Sequence, residues 1–221
     1  MLQSFMNVEI ETAPGVLVPR HETELLGATA IELVERSSAA IVVDMCCGSG
    51  NLAIAVAVAH PSVRVYASDL TEQATAVARH NVERLGLADR VIVTQGDMFE
   101  GLAGFGLLGN VDMVVCNPPY ISTGKLETTS SHLLEHEPRE AFDAGPYGIA
   151  LHQRLFAEAI PFLRPGGWLA CEFGVGQERQ VKALLARTRH YAEPQFVTSD
   201  AGMPRVAFAQ TLPRTETMRG L

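Results

Sequence analysis

The chain has 221 residues, 47% of them hydrophobic, and a formal net charge of −8 at pH 7. That length suits one domain able to bury a core without disulfide or metal staples, and the acidic balance argues against a nucleic-acid partner, whose phosphates need Lys and Arg patches. Four cysteines without a C-x-x-C pair fit a reduced, cytoplasmic chain, no apolar run approaches the roughly 20 residues of a membrane helix, and residues 1–11 lack the basic and apolar stretches of a signal peptide.

Residues 1–20 read as an irregular or strand-like lead-in ending in Val16-Leu17-Val18-Pro19-Arg20. A helix is expected over 21–37, where Leu25, Leu26, Ala30, Ile31 and Val34 form a one-sided apolar stripe. Residues 40–45 are a continuous apolar strand of the kind buried in parallel sheets, followed by Gly48-Ser49-Gly50 and a small-residue helix over 52–59. A second strand over 63–68 ends at Asp69, and Thr71 is the expected N-cap of a helix over 72–85 closed by Gly86. The third strand, 91–95, leads into Gly96-Asp97 and a glycine-rich loop, and the fourth spans 113–116. Residues 121–148 read as irregular; a connection that long inside a compact domain usually forms a lid or substrate loop. A helix over 149–162 should stop at Pro165-Gly166-Gly167, with a fifth strand over 168–173 and a helix over 177–188. Residues 195–199 and 205–210 form a closing antiparallel hairpin, and 211–221 a polar, flexible tail. Strands alternating with helices predict a single α/β domain over 1–210: a Rossmann-like, seven-stranded, mostly parallel sheet with helices on both faces.

One stretch organises the rest. The apolar run Val111-Asp112-Met113-Val114-Val115-Cys116 ends abruptly in Asn117-Pro118-Pro119-Tyr120. Two prolines forbid further ladder hydrogen bonds, so the strand stops and the backbone turns out of the sheet. The residue before a proline is driven to extended geometry, which keeps Asn117 out of a helix start. Asn117 is therefore expected on a stiff corner at the C-terminal end of a strand, where open α/β sheets bind ligands. A rigid Asn beside backbone carbonyls and an aromatic ring is a good holder for a flat, polar nitrogen group; a simple turn with a packed Tyr is the plainer alternative.

Gly48-Ser49-Gly50-Asn51-Leu52-Ala53 matches the G-x-G-x-x-(G/A) fingerprint of dinucleotide sites, and Asp69 lies at the spacing of a ribose-binding carboxylate. A nicotinamide-dependent oxidoreductase is thus one reading. Three features favour S-adenosylmethionine instead. Asp44, four residues before Gly48, is placed to orient the glycine turn and face a ligand ammonium. Asp97 ends the third strand, where it can accept from an adenine amino group with Met98 or Phe99 against the ring. The Asn117 corner then ends the fourth strand beside the same pocket.

With those residues in place, the chain resembles the class I methyltransferases and, within them, the HemK/PrmC family, which methylates the side-chain amide of a glutamine in bacterial release factors. The resemblance runs over about 8–210 and rests on Val18-Pro19-Arg20-His21-Glu22-Thr23-Glu24-Leu25-Leu26, Val43-Asp44 with Gly48-Ser49-Gly50, Gln95-Gly96-Asp97-Met98-Phe99, Asn117-Pro118-Pro119-Tyr120, Glu137-Pro138-Arg139 and Leu163-Arg164-Pro165-Gly166-Gly167. It implies that Asp69 holds the ribose, Asp97 the adenine and the Gly48–Gly50 turn the methionine part of S-adenosylmethionine, with Asp44, Cys46, Leu70 and Met98 completing the cofactor set and S-adenosylhomocysteine as product. Asn117 and the Pro118 carbonyl would accept hydrogen bonds from the target NH₂ with Tyr120 beside it, and Arg20, Glu22, Pro119 and Glu137 would line the acceptor side. Cys46 stands where the family usually has Gly, His21 where it has Pro, Tyr147 where it has an acidic residue and His152 where it has Tyr; the family's helical N-terminal domain is not among these residues.

The implied chemistry needs no metal, because a sulfonium methyl is already activated. An amide nitrogen is a poor nucleophile, and two fixed acceptors would aim it and stabilise the charge that develops on it, an oxyanion hole with signs reversed. The Tyr120 ring would add a cation–π contribution of roughly 0.5–2 kcal/mol. The acceptor is expected to be a protein glutamine or a small molecule or peptide. Asn-Pro-Pro-Tyr also occurs in DNA amino-methyltransferases, but the basic surface these need is missing, and a non-catalytic adenosyl-binding subunit is a further alternative. His132-Leu133-Leu134-Glu135-His136 spells H-x-x-E-H, a zinc-protease pattern, yet Pro138 follows at once and no third ligand is evident.

Overall fold

The apolar runs that read as buried strands form the middle of one seven-stranded sheet. In the computed structural model the described residues are 1–213, apart from His136 and the side chain of His132. The lead-in is ordered: β1 (Leu2–Phe5) and β2 (Val8–Glu11) make an antiparallel hairpin whose two turn residues, Met6 and Asn7, both have positive φ, as a two-residue turn matching strand twist requires. Then follow a 3₁₀ turn (His21–Thr23), α1 (Glu24–Ser37), β3 (Ile41–Met45), α2 (Asn51–Ala59), β4 (Arg64–Asp69), α3 (Glu72–Arg84) and β5 (Val91–Gln95). Thr71 caps α3 through Oγ1, which accepts from Ala74 N. A 3₁₀ turn (Met98–Leu102) leads to β6 (Val111–Cys116), α4 (Thr123–Glu127), α5 (Ala150–Glu158), β7 (Leu163–Glu172), α6 (Glu178–Thr188), β8 (Gln195–Thr198) and β9 (Pro204–Gln210).

The sheet order is β5-β4-β3-β6-β7-β9-β8. All pairs from β5 to β7 are parallel, and β9 runs antiparallel to both its neighbours. Successive residues of β3 face opposite layers, as strand pleating dictates: Val42 joins α1, α2 and α3 through Leu26, Ile54 and Ala78, whereas Val43 joins α5 and α6 through Phe156 and Val181. The chain lays β3, β4 and β5 outward and then crosses back to set β6 on the other side of β3. The loops leaving β3 and β6 therefore diverge, which opens a crevice at the carboxyl ends of those strands.

Two boundaries differ from expectation. Pro165-Gly166-Gly167 reads as a stop, yet β7 already begins at Leu163, which pairs with Val111; the register then shifts before Met113 pairs with Trp168. Proline and glycine are accommodated here as a bulge inside the strand. Residues 121–148 hold α4 and two 3₁₀ turns, Ser131–Glu135 and Arg139–Ala141. Their ends are tied by an Ile121–Asp143 bridge, Thr123 donates to Asp143, and Arg139 pairs with Glu127 and Asp143. The H-x-x-E-H span is a 3₁₀ turn over its described part, and His136 lies outside the described residues. Of the expected tail, Thr211 and Leu212 are bonded to Gly167 and His190, and residues 214–221 lie outside the described residues.

Candidate active site

Four strand ends converge on the crevice. After β3, Gly48 (φ +54°) and Gly50 (φ +81°) turn the chain into α2. A Cβ on Gly50 would sit 3.2 Å from the Ala78 Cβ, so the turn closes against α3 there; a Cβ on Gly48 would meet no atom within 4 Å, so the turn offers an open cradle on its cavity side. Asp44, fully buried in β3, accepts from Ala53 N in the first turn of α2 at 2.9 Å, while its Oδ1 has no partner. Burial pushes its carboxyl up to about 8. At the end of β4, Asp69 accepts from Gly48 N (2.9 Å) and Thr71 N (3.2 Å), and burial raises its carboxyl too. It thereby fixes the glycine turn against the neighbouring strand.

One cavity takes in Cys46, Gly48, Asp69, Leu70, Asp97 and Met98, and reaches Asn117 and Pro119. Its other walls include Val16 and Leu17 of the lead-in and Leu151 of α5. Asp44 and Gly50 stand behind the glycine turn and shape it without lining the cavity. Cys46 and Met98 have φ of +58° and +49°, conformations that cost non-glycine residues about 1–3 kcal/mol and gather at ligand sites. Asp97 is held by Arg154, whose Nη1 donates to both carboxylate oxygens at 2.9 and 3.1 Å. An exposed pair of this kind contributes only about 0–1 kcal/mol, so a ligand donor can displace it.

A second cavity, of about 340 Å³, adjoins the first and lies in the size range of ligand sites. Arg20, Glu22, Pro118 and Tyr120 line it with Ile121 and Phe142, and Asn117, Leu17 and Ala141 belong to both cavities. Asn117 donates through Nδ2 to Thr23 Oγ1 at 3.0 Å, which leaves its Oδ1 as the free end of the amide. The Tyr120 hydroxyl donates to Glu172 at 3.0 Å, anchoring the ring. Glu137 lies outside this lining: it accepts from Val18 N at 2.9 Å and pairs with Arg20, joining the lead-in to the 121–148 segment.

Sequence reasoning missed Thr23, Glu172 and Arg205, which stand behind the Asn117 corner, and the lead-in wall at Gly15–Leu17. Glu172 carried a signal, a lone carboxylate inside the apolar run Trp168–Phe173; the lead-in carried none.

The buried groups set a pH dependence. Asp44 is raised from 3.8 to about 8, so the folded protein holds a proton there that the unfolded chain loses, and stability falls as pH rises between those values. Buried, neutral His152 is lowered from 6.5 to about 4 by desolvation, so stability falls as pH drops through that window. The two slopes oppose below 6.5. Between about 6.5 and 8 the Asp44 slope is unopposed by His152, and urea midpoints of the ligand-free protein are expected to decline there. Asp44→Asn should flatten the decline; an unchanged slope in that variant contradicts the assignment.

A family model described as the methyltransferase small domain matches residues 8–145. The release factor glutamine methyltransferase of Moorella thermoacetica is 38% identical over 209 residues, which cover 94% of this chain and 71% of that one. The 4-amino-L-phenylalanine/4-methylamino-L-phenylalanine methyltransferase of Streptomyces pristinaespiralis is 36% identical over 193 residues, 85% of this chain and 64% of that one. Among solved structures, a methyltransferase from Pyrococcus furiosus superposes with a TM-score of 0.64 at 16% identity, covering 93% of this chain and 89% of that one, a likeness of fold alone. The sheet order, the glycine turn with its cavity and these relatives together place the chain in the HemK/PrmC family of release factor glutamine methyltransferases, as an enzyme that uses S-adenosylmethionine.

Proposed function

We propose that the chain is an N-methyltransferase that carries the methyl group of S-adenosylmethionine to the side-chain amide of a protein glutamine, the acceptor named for its release factor relatives. The observation that carries the reading is the shared position of Asn117, which borders both cavities with its amide oxygen free. The residues of the first cavity fit the cofactor. The open Gly48 cradle suits its amino-acid part, Asp69 its ribose hydroxyls, and Asp97 with Leu70 and Met98 its adenine, while Asp44 shapes the glycine turn from behind. When bound, it supplies a methyl group on a sulfonium, activated without a metal.

The protein's own contribution is placement. Asn117 Oδ1 and the Pro118 carbonyl accept the two N–H groups of the target amide and hold its nitrogen toward the first cavity. As the nitrogen gains positive charge, both acceptors strengthen, which favours the transition state over the bound substrate. Tyr120 borders the second cavity, and the stiff Pro118-Pro119 corner keeps these groups from relaxing away. Arg20 and Glu22, on the outer wall, meet the polypeptide around the glutamine.

A second reading takes a small aromatic amine as acceptor, because a relative of similar identity is named for an amino-phenylalanine. Methyl-labelled S-adenosylmethionine offered with a bacterial release factor and, separately, with 4-amino-phenylalanine distinguishes the two. Label on release factor is the expected result; label on the amino acid alone transfers the assignment to the small molecule.

A further inference from the structure

The glycine turn has a further hold, Asn81 of α3, which lines neither cavity. In a regular helix the Ser49 carbonyl would accept from the amide four residues on, Ala53 N. Here Ala53 N donates to Asp44 instead, and the Ser49 carbonyl accepts from Asn81 Nδ2 at 3.0 Å. Ser49 and Asn81 are both fully buried. A carbonyl left unmet at this depth would be costly, with no water to relieve it. Asp44 and Asn81 thus satisfy the two halves of one helical hydrogen bond, which lets the chain splay at Gly48-Ser49-Gly50 before α2 begins.

The same side chain grips the lead-in. In the hairpin Met1 and Thr12 exchange hydrogen bonds while Leu2 stands opposite Glu11, so the Glu11 backbone groups turn away from β1. Asn81 takes both: its Oδ1 accepts from Glu11 N at 2.8 Å and its Nδ2 donates to Glu11 O at 2.9 Å. Both amide hydrogens and the amide oxygen are in use, a set that a carboxylate or a hydroxyl cannot supply. His80, the preceding residue of α3, holds the Glu11 carboxylate at 3.0 Å, and Gln73 of the same helix donates to the Pro14 carbonyl. From there the chain runs directly into Gly15, Val16 and Leu17, which wall the first cavity. We propose that Asn81 is a positioning residue for S-adenosylmethionine, fixing two walls of its cavity, the glycine turn and the lead-in, to one helix and to each other. Walls held apart at a set distance need no ordering when the cofactor enters, and affinity gains what that ordering would have cost. Asn81 acts on the cofactor alone, so its role holds for either acceptor.

Calorimetric titration of the full chain with S-adenosylhomocysteine reads the effect without any acceptor. Asn81→Ala is expected to raise the Kd by roughly tenfold, the worth of one hydrogen bond. Val82→Ala, at the next position of α3 and within the core, lowers stability while leaving Ser49 and Glu11 their partner, and should bind as wild type. Both are titrated at a temperature where they are fully folded. An Asn81→Ala protein that melts earlier yet binds with the wild-type Kd overturns the proposal, and so does an equal loss of affinity in Val82→Ala. Hydrogen exchange of the wild-type protein decides the matter even where Asn81→Ala fails to fold. Bound S-adenosylhomocysteine is expected to slow exchange of the Glu11 amide, which donates to Asn81, along with that of Gly48 in the turn. Protection gained at Gly48 with none at Glu11 would mean that Asn81 does not join the two walls.

Discussion

Replacing Asn117 by Ala is expected to reduce methyl transfer by at least roughly 10²–10³-fold, the loss seen when one preorganised polar group is removed from the site of developing charge. The substitution takes away the free Oδ1 at the junction of the two cavities and leaves Thr23 Oγ1 without its donor. The cofactor cavity keeps Gly48, Asp69, Asp97 and Met98, so affinity for S-adenosylhomocysteine should stay within a few-fold of wild type. Isothermal titration beside single-turnover kinetics separates the two effects. Loss of cofactor binding with unaltered turnover at saturation would make Asn117 a wall of the first cavity rather than the holder of the acceptor.

Asp69→Ala should behave in the opposite way. Its carboxylate receives the Gly48 N–H across the crevice and the Thr71 N–H within its own loop. Removal leaves the glycine turn without its strap and, on the proposed reading, the ribose without its acceptor. A hydrogen bond to a charged group contributes roughly 1.5–3 kcal/mol, so cofactor affinity is expected to fall roughly 10- to 100-fold. Turnover at saturating cofactor should recover most of its wild-type value, because nothing at the Asn117 corner has moved. Asp69→Asn, which retains an acceptor oxygen, should lose less. Equal losses of kcat in Asp69→Ala and Asn117→Ala would mean that binding and placement are not divided between the two strand ends.

Much of the geometry behind this proposed division was legible in the sequence because it is carried by backbone chemistry. Gly48-Ser49-Gly50 needs positive φ at both glycines, Asn117-Pro118-Pro119 can only end a strand, and Thr71 caps α3 as its residue type dictates. The mostly parallel sheet with helices on both faces followed from the alternation of strands and helices. What escaped depends on partners distant along the chain. Thr23 meets Asn117 across 94 residues and Arg205 meets Glu172 across 33; no local pattern marks such pairs. The Pro165-Gly166-Gly167 bulge was hidden because the same residues usually terminate an element. Glu137 read as an acceptor residue, and its fold role, joining Val18 and Arg20 to the 121–148 segment, depends on contacts more than 100 positions away. Reading the lead-in as irregular or strand-like left its hairpin unplaced, because the Met6-Asn7 turn needs left-handed backbone that Asn tolerates and Met does not favour.

The most direct measurement locates the transferred methyl group. Release factor incubated with the protein and S-adenosylmethionine is digested and fragmented in a mass spectrometer. A methyl group on the side-chain nitrogen of one glutamine, absent when Asn117→Ala replaces the wild type, is the expected result. Methyl on an oxygen or sulfur atom, or an equal yield from Asn117→Ala, would contradict an acceptor nitrogen held by the Asn117 corner.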